Sequence, residues 1–227
     1  MAPLKLKIFE WGPYTARILT YLYWKRLENP KHIRIININP PVQYGRIGRG
    51  PTLEFPDGRH ITSTPDIIEY FEDICDNPKE QWQRELASAA GPSMRGRNSA
   101  EMEEKRAILR SVDKTTTDYM CSIAYKCSRA GPLRSDPINE ALDQSEKSLS
   151  GLQDHYWKMY KAIDKDHGPR ICVADIALLS LIEYIEAVNH RNIVSRWPIL
   201  NSLYETFKVD NVDSRVLLSI ARMDEGC

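Results

Sequence analysis

The spacing of hydrophobic and polar positions changes along these 227 residues. In the first third, Lys5-Leu6-Lys7-Ile8-Phe9 alternates and Arg34-Ile35-Ile36-Asn37-Ile38 is β-branched, so both predict strands. Between them Pro13 to Arg26 reads as a helix, opened by a proline where a missing N–H costs nothing. The three form a βαβ unit that ends at Asn39-Pro40-Pro41. Pro51 to Phe55 and the segment around His60-Ile61 predict a hairpin turning at Asp57-Gly58, with a helix from Pro65 to Cys75 behind it. After Asn98 the strand signals give way to helical ones. Ala100 to Cys127 and Ile138 to Ile163 place charge on one side and apolar residues on the other. Val173 to Ile185 is apolar on nearly every face, which predicts a helix enclosed by others. Shorter helices are expected around Ile199 to Phe207 and from Ser214 to Arg222. Asp76-Asn77-Pro78 and Ala90-Gly91-Pro92-Ser93 bracket a polar stretch that reads as an interdomain connection. The expected organisation is an α/β domain over residues 1–77, a linker over 78–97 and an all-α helical domain over 98–227.

A hydrophobic content of 42% is enough for one large core or two smaller ones. The 31 basic and 31 acidic side chains cancel, so no overall field draws the chain to nucleic acid or to an anionic membrane. Arg46, Arg49 and Arg59 read instead as a local anion-binding rim. Lys5 and Lys7 break up the N-terminal residues before any signal-like apolar run develops, and no stretch has bilayer-spanning length. Five cysteines without ligand spacing fit free thiols in a reducing, cytoplasmic setting. The five histidines are scattered, so no metal site is expected.

The chemistry concentrates at Gly48-Arg49-Gly50-Pro51-Thr52-Leu53 and at Thr62-Ser63-Thr64-Pro65. A proline opening a strand cannot donate to the ladder, so it lies at an edge or exposes its neighbour's backbone. The amide and carbonyl of Gly50 are thereby offered to an extended, peptide-like ligand. Ser63 and Thr64 at a helix start suit a carboxylate.

These residues, with Asp57, Gly58, Ile67 and Tyr70, resemble the cytosolic glutathione transferase family. So does Gly12-Pro13-Tyr14-Thr15-Ala16-Arg17, placed where the family has Cys/Ser-Pro-Phe/Tyr-x-x-Arg. Late in the chain, Cys172-Val173-Ala174-Asp175 is similar to the capping box of the family's central helix, and Trp197-Pro198-Ile199-Leu200 to the segment after it. The resemblance implies a thioredoxin-like N-terminal domain, an all-helical C-terminal domain, a cis bond at Pro51, a homodimer and glutathione as cofactor. It assigns Arg49, Gly50, Pro51, Ser63 and Thr64 to glutathione.

The family's nucleophile partner, a Tyr or Ser hydroxyl or a Cys thiol, is replaced here by Gly12. That substitution argues against cysteine-dependent reductase activity. Tyr14 and Thr15 are the nearest candidate catalytic donors, and the positive end of the helix can itself stabilise a thiolate. Trp11, Gly12, Arg106, Arg110, Thr115 and Tyr119 are candidate lining for the cleft of a small-molecule acceptor. The implied function is glutathione-dependent transfer to, or cis–trans isomerisation of, a small apolar electrophilic or conjugated molecule. The alternative is a catalytically inactive binding or regulatory protein. Asp175, three residues after Cys172, reads as a cap for the first amides of its helix.

Overall fold

A computed structural model of the chain describes residues 3–8, 12–27, 31–38, 50–96, 98–130, 143–154, 171–189 and 193–210. These divide into two compact units, one before and one after residue 97.

In the first unit, strand β1 (Leu4–Ile8) leads into helix α1 (Pro13–Lys25), followed by β2 (Ile33–Asn37), β3 (Thr52–Glu54), β4 (His60–Ile61), α2 (Thr64–Asp76) and α3 (Gln81–Ala89). The sheet order is β2-β1-β3-β4. β1 pairs with β2 in parallel, Leu4 facing Ile33, and with β3 antiparallel, Leu6 facing Leu53. Alternation sends Leu4, Leu6, Ile8 and Leu53 into a core with Ile18, Leu22, Ile67 and Phe71. The opposite face of β1 carries Lys5 and Lys7, both paired with Glu54 of β3.

The β3–β4 hairpin turns where the sequence places it. Phe55 N–H donates to the Arg59 carbonyl at 2.9 Å, and Gly58 adopts φ 85°, a left-handed conformation that a side chain would strain. Leu53 and Glu54 are paired on both sides and Thr52 with β1, so β3 is an interior strand and Pro51 stands just before its ladder begins.

Residues 78–97, expected as a connection, fold with the first unit across the part described. Glu80 and Gln83 make a reciprocal capping box that starts α3, and Leu86 buries its face. Beyond α3, Gly91 N–H donates to the Lys25 carbonyl at 2.8 Å, and a side chain there would meet the Trp24 carbonyl at 3.2 Å. Behind this contact lies a buried charge cluster. Lys25 Nζ stands 2.8 Å from Glu72 Oε1. Tyr21 donates its hydroxyl to that same oxygen at 2.7 Å, while Ser93 Oγ and Met94 N–H donate to Oε2, each at 2.9 Å.

The second unit is helical: α4 (Ser99–Ala130), a helical segment over residues 143–154 (α5), α6 (Val173–Asn189) and α7 (Pro198–Asp210). Helix α6 packs along α4, and its residues Ile176 to Ile182 are buried throughout, the enclosed helix that the all-round apolar pattern predicts. Asn98 starts α4 by accepting the Glu101 N–H at 2.9 Å. At the start of α6 Asp175 Oδ2 accepts the Cys172 N–H at 2.8 Å, the capping role read for Asp175. The expected helix from Ser214 to Arg222 lies outside the described residues, as do both ends expected of the 138–163 helix.

Candidate functional site

Strand direction decides which loops meet. β1 and β4 both run toward the end of the sheet from which β3 departs, because β3 is antiparallel to each. Helix α1 follows β1, and α2 follows β4. Gly12-Pro13, Gly50-Pro51 and Ser63-Thr64 therefore all lie at one end of the sheet. The β3–β4 register pairs Leu53 with Ile61; continued by two residues it sets Pro51 opposite Ser63. Contact confirms the approach, since a Cβ built on Gly50 lies 3.9 Å from the Thr62 carbonyl oxygen.

The resemblance implies a cis bond at Pro51, and the structure corrects this: the Gly50–Pro51 bond is trans, and the described residues contain no cis peptide. Trans is the intrinsically preferred form even before proline. The Gly50 backbone reaches the sheet end through strand register alone. Gly50 and Ser63 are half-buried, whereas Pro51 and Thr64 are buried. Ser63 is the N-cap of α2, its Oγ accepting the Asp66 N–H at a long 3.5 Å, and Pro65 contributes no donor to that turn.

At α1, Gly12 is the N-cap, with extended torsions of φ −172° and ψ 174° and no side chain to cap the helix. Pro13 occupies the first turn, as the sequence predicts. Tyr14 is half-buried, and the Arg17 guanidinium lies over its ring at 5.4 Å from the centroid. Thr15 is only 3% exposed, so of the two candidate donors Tyr14 is the reachable one. Trp11 and Arg49 lie outside the described residues. Arg59, read as part of an anion rim, is engaged locally: it pairs with Asp57 at 2.7 Å and covers the Phe55 ring.

The α4 candidates separate into two kinds. Arg106 and Arg110 are exposed and both pair with Glu103. Thr115 and Tyr119 are buried, Thr115 donating its hydroxyl to the Ser111 carbonyl and Tyr119 meeting Tyr184 edge-on at 6.2 Å. These two serve the packing of the helical unit.

Sequence reading missed the Thr62 carbonyl beside Gly50, which the hairpin register would have located. It also missed the Glu72 cluster, for which no local pattern exists. A groove of about 410 Å3 lined by Pro3, Lys31, His32, Glu80, Trp82 and Glu85 lies by the starts of β1 and β2, the opposite end of the sheet. Its acids are already engaged, Glu80 by Trp82 Nε1 and Glu85 by Lys31. Among the described residues no cluster of His, Cys, Asp and Glu fits a metal ion, and no helix is long and apolar enough to cross a membrane.

No protein-family model and no curated protein matches the sequence. Solved structures do match the fold. A glutathione S-transferase from Methylobacillus flagellatus KT with glutathione bound superposes with a TM-score of 0.64 at 16% identity, covering 94% of this chain and 98% of its own. Glutathione transferase F7 from Populus trichocarpa gives 0.64 at 16%, covering 95% and 98%. A glutathione transferase family member from Pseudomonas fluorescens Pf-5, with bound S-(propanoic acid)-glutathione, gives 0.65 at 13%, covering 94% and 97%. Across nearly its whole length, with a thioredoxin-like sheet unit followed by a helical one, this chain has the glutathione S-transferase fold.

Proposed function

We propose that the chain binds glutathione at the sheet end bearing Gly12, Gly50 and Ser63, and uses it on a small apolar electrophilic or conjugated molecule. The observation that carries this reading is the convergence of the Gly50 backbone, just before the β3 ladder begins, with two helix starts, at Gly12-Pro13 and Ser63-Thr64. Such a corner supplies strand-like pairing for the cysteinyl backbone, a hydroxyl and amides for a carboxylate, and a helix N-terminus for the sulfur. Fold neighbours that hold glutathione or an S-substituted glutathione support it.

Each residue then has a chemical task. Gly50 pairs with the tripeptide backbone, Pro51 fixes the chain entering β3, and Ser63 with Thr64 receives a carboxylate, joined by Arg49 as counter-charge. The thiolate is favoured by the N-terminal end of α1, with Tyr14 as the reachable hydroxyl. Bringing a thiol of pKa about 8.5 to half-ionisation two units lower requires about 2.7 kcal/mol of differential interaction. A helix terminus supplies about 0.3–2 kcal/mol, so a second donor is required for full activation. Addition to a conjugated double bond, rotation and expulsion of the same thiolate fits this weakly activated site as well as permanent conjugation does. The molecule would act as a cytoplasmic homodimer without nucleic-acid or membrane partners.

A second reading, a binding or regulatory protein without chemistry, is favoured by two observations: the N-cap of α1 is a glycine, and Thr15 is enclosed. Calorimetric titration with glutathione, followed by product analysis on conjugated dienones and aryl halides, tests both. Binding with thioether product or cis–trans change supports the enzyme. Binding with neither supports the second reading, and absence of binding removes the glutathione-dependent enzyme and also favours the second reading, as a regulatory protein.

A further inference from the structure

Helices α1 and α2 carry the two helix starts of the proposed site, at Gly12-Pro13 and Ser63-Thr64. Further along both, one carboxylate ties them together. Glu72 of α2 is fully enclosed, with the Lys25 ammonium of α1 2.8 Å from Oε1 and the Tyr21 hydroxyl donating to the same oxygen. Its other oxygen accepts from Ser93 Oγ and the Met94 N–H, in the segment after α3. Lys25 Nζ also donates to the Pro92 carbonyl of that segment at 3.1 Å, and Arg95 Nη2 to the Glu69 carbonyl of α2 at 3.0 Å. Burying an ammonium with a carboxylate gains little net stability, and apolar residues of similar volume often serve as well or better. Apolar contact, such as the Tyr21 ring against Phe71 at 6.5 Å, draws α1 and α2 together without fixing their angle. Directed bonds converging on one carboxylate do fix it.

We propose that Tyr21, Lys25 and Glu72 are positioning residues of the glutathione site: by pinning α1 to α2 they set the spacing between the helix start assigned to the sulfur and the one assigned to a carboxylate. The inference rests on the glutathione reading of the site. Leverage makes the pin effective. At a rise of about 1.5 Å per residue, Pro13 lies about 18 Å from Lys25 along α1, so a tilt of about 5° moves the helix start by about 1.5 Å. A misplacement of about 1 Å, caused far from the ligand, is enough to undo productive positioning.

The test is calorimetric titration with glutathione of wild type, Tyr21→Phe and the combined variant Tyr21→Phe/Lys25→Met/Glu72→Leu, with melting curves for each. The combined variant removes both charges at once and strands neither. It is expected to stay folded and to bind glutathione about tenfold or more weakly, with Tyr21→Phe, which keeps the ion pair, about threefold weaker. Gly58→Ala strains the hairpin turn of the same unit and serves as the control for lost stability; it should bind as wild type does. Wild-type affinity in a folded combined variant overturns the inference, and so does a control that loses as much affinity as that variant. Should the combined variant not fold, Tyr21→Phe decides, unchanged affinity there overturning the inference. If wild type does not bind glutathione, the glutathione reading fails and this inference with it; if wild type and variants bind alike, only the inference fails.

Discussion

Glu72 is fully enclosed and still carries a charge, so its surroundings must replace water. Four donors do so: Lys25, Tyr21, Ser93 and the Met94 amide. Burial would push its carboxyl upward, but the Lys25 ammonium, the Met94 amide and the Tyr21 hydroxyl outweigh that and hold it below its ordinary 4.5. Truncation to alanine strands a buried ammonium together with three donors. Glu72→Ala is therefore expected to cost about 3–5 kcal/mol, read as a lowered urea midpoint. Because the folded-state pKa is depressed, the stabilisation is present above about pH 4.5 and drains away as pH falls through the folded value. Glu72→Gln should flatten that acid limb, and an unchanged acid limb would show that other carboxylates govern it. On the alkaline side, burial and then Glu72 raise the Tyr21 hydroxyl well above 10. Its contribution is complete below that pH and is lost above it, so Tyr21→Phe should remove part of the alkaline decline. None of this was legible in the sequence. Lys25 and Glu72 are 47 positions apart (72 − 25), and each alone reads as an ordinary helix-surface charge.

Element boundaries were more readable where a local chemical rule fixes them. Asp57-Gly58 predicts the hairpin because only glycine takes φ 85° without strain, and Gly58→Ala should lower stability by about 1 kcal/mol. The start of α6 was legible for a similar reason. Asp175 three residues after Cys172 can reach back to an amide, and Cys172 offers no good capping oxygen of its own. Asp175→Ala is expected to cost about 0.5–2 kcal/mol in thermal or urea unfolding, while Asp175→Asn, which keeps an acceptor, should cost less. Equal losses in the two variants would mean that charge, rather than the bond to Cys172, does the work. Helix α3 escaped notice because Trp82 and Leu86 are its only large apolar residues across Gln81–Ala89, too few to show a period. Its capping box was present in Glu80 and Gln83, but Glu is a rare N-cap and does not signal a start. The cis bond expected at Pro51 came from resemblance alone; no physical rule in the sequence demanded it, and the bond is trans.

At the scale of the whole chain, the candidate site became legible through order, not through any single residue. Its three segments begin at Gly12, Gly50 and Ser63, and it is the antiparallel placement of β3 between β1 and β4 that gathers them at one end of the sheet. Each of the two units, before and after residue 97, has buried hydrophobic residues of its own. A ligand that binds through the first unit's corner should therefore leave a local signature. Ligand at about 100 times its Kd stabilises the bound state by about 2.7 kcal/mol, so amides that open only when the ligand leaves should exchange about a hundredfold more slowly. In hydrogen exchange with saturating glutathione, slowing is expected at Tyr14–Ala16, Gly50–Leu53 and Thr62–Ile67. The buried centre of α6, Ile176–Ile182, reports on the other core and should change less. Slowing confined to α6, with none at the sheet end, would move the binding site out of the corner that strand register assembles.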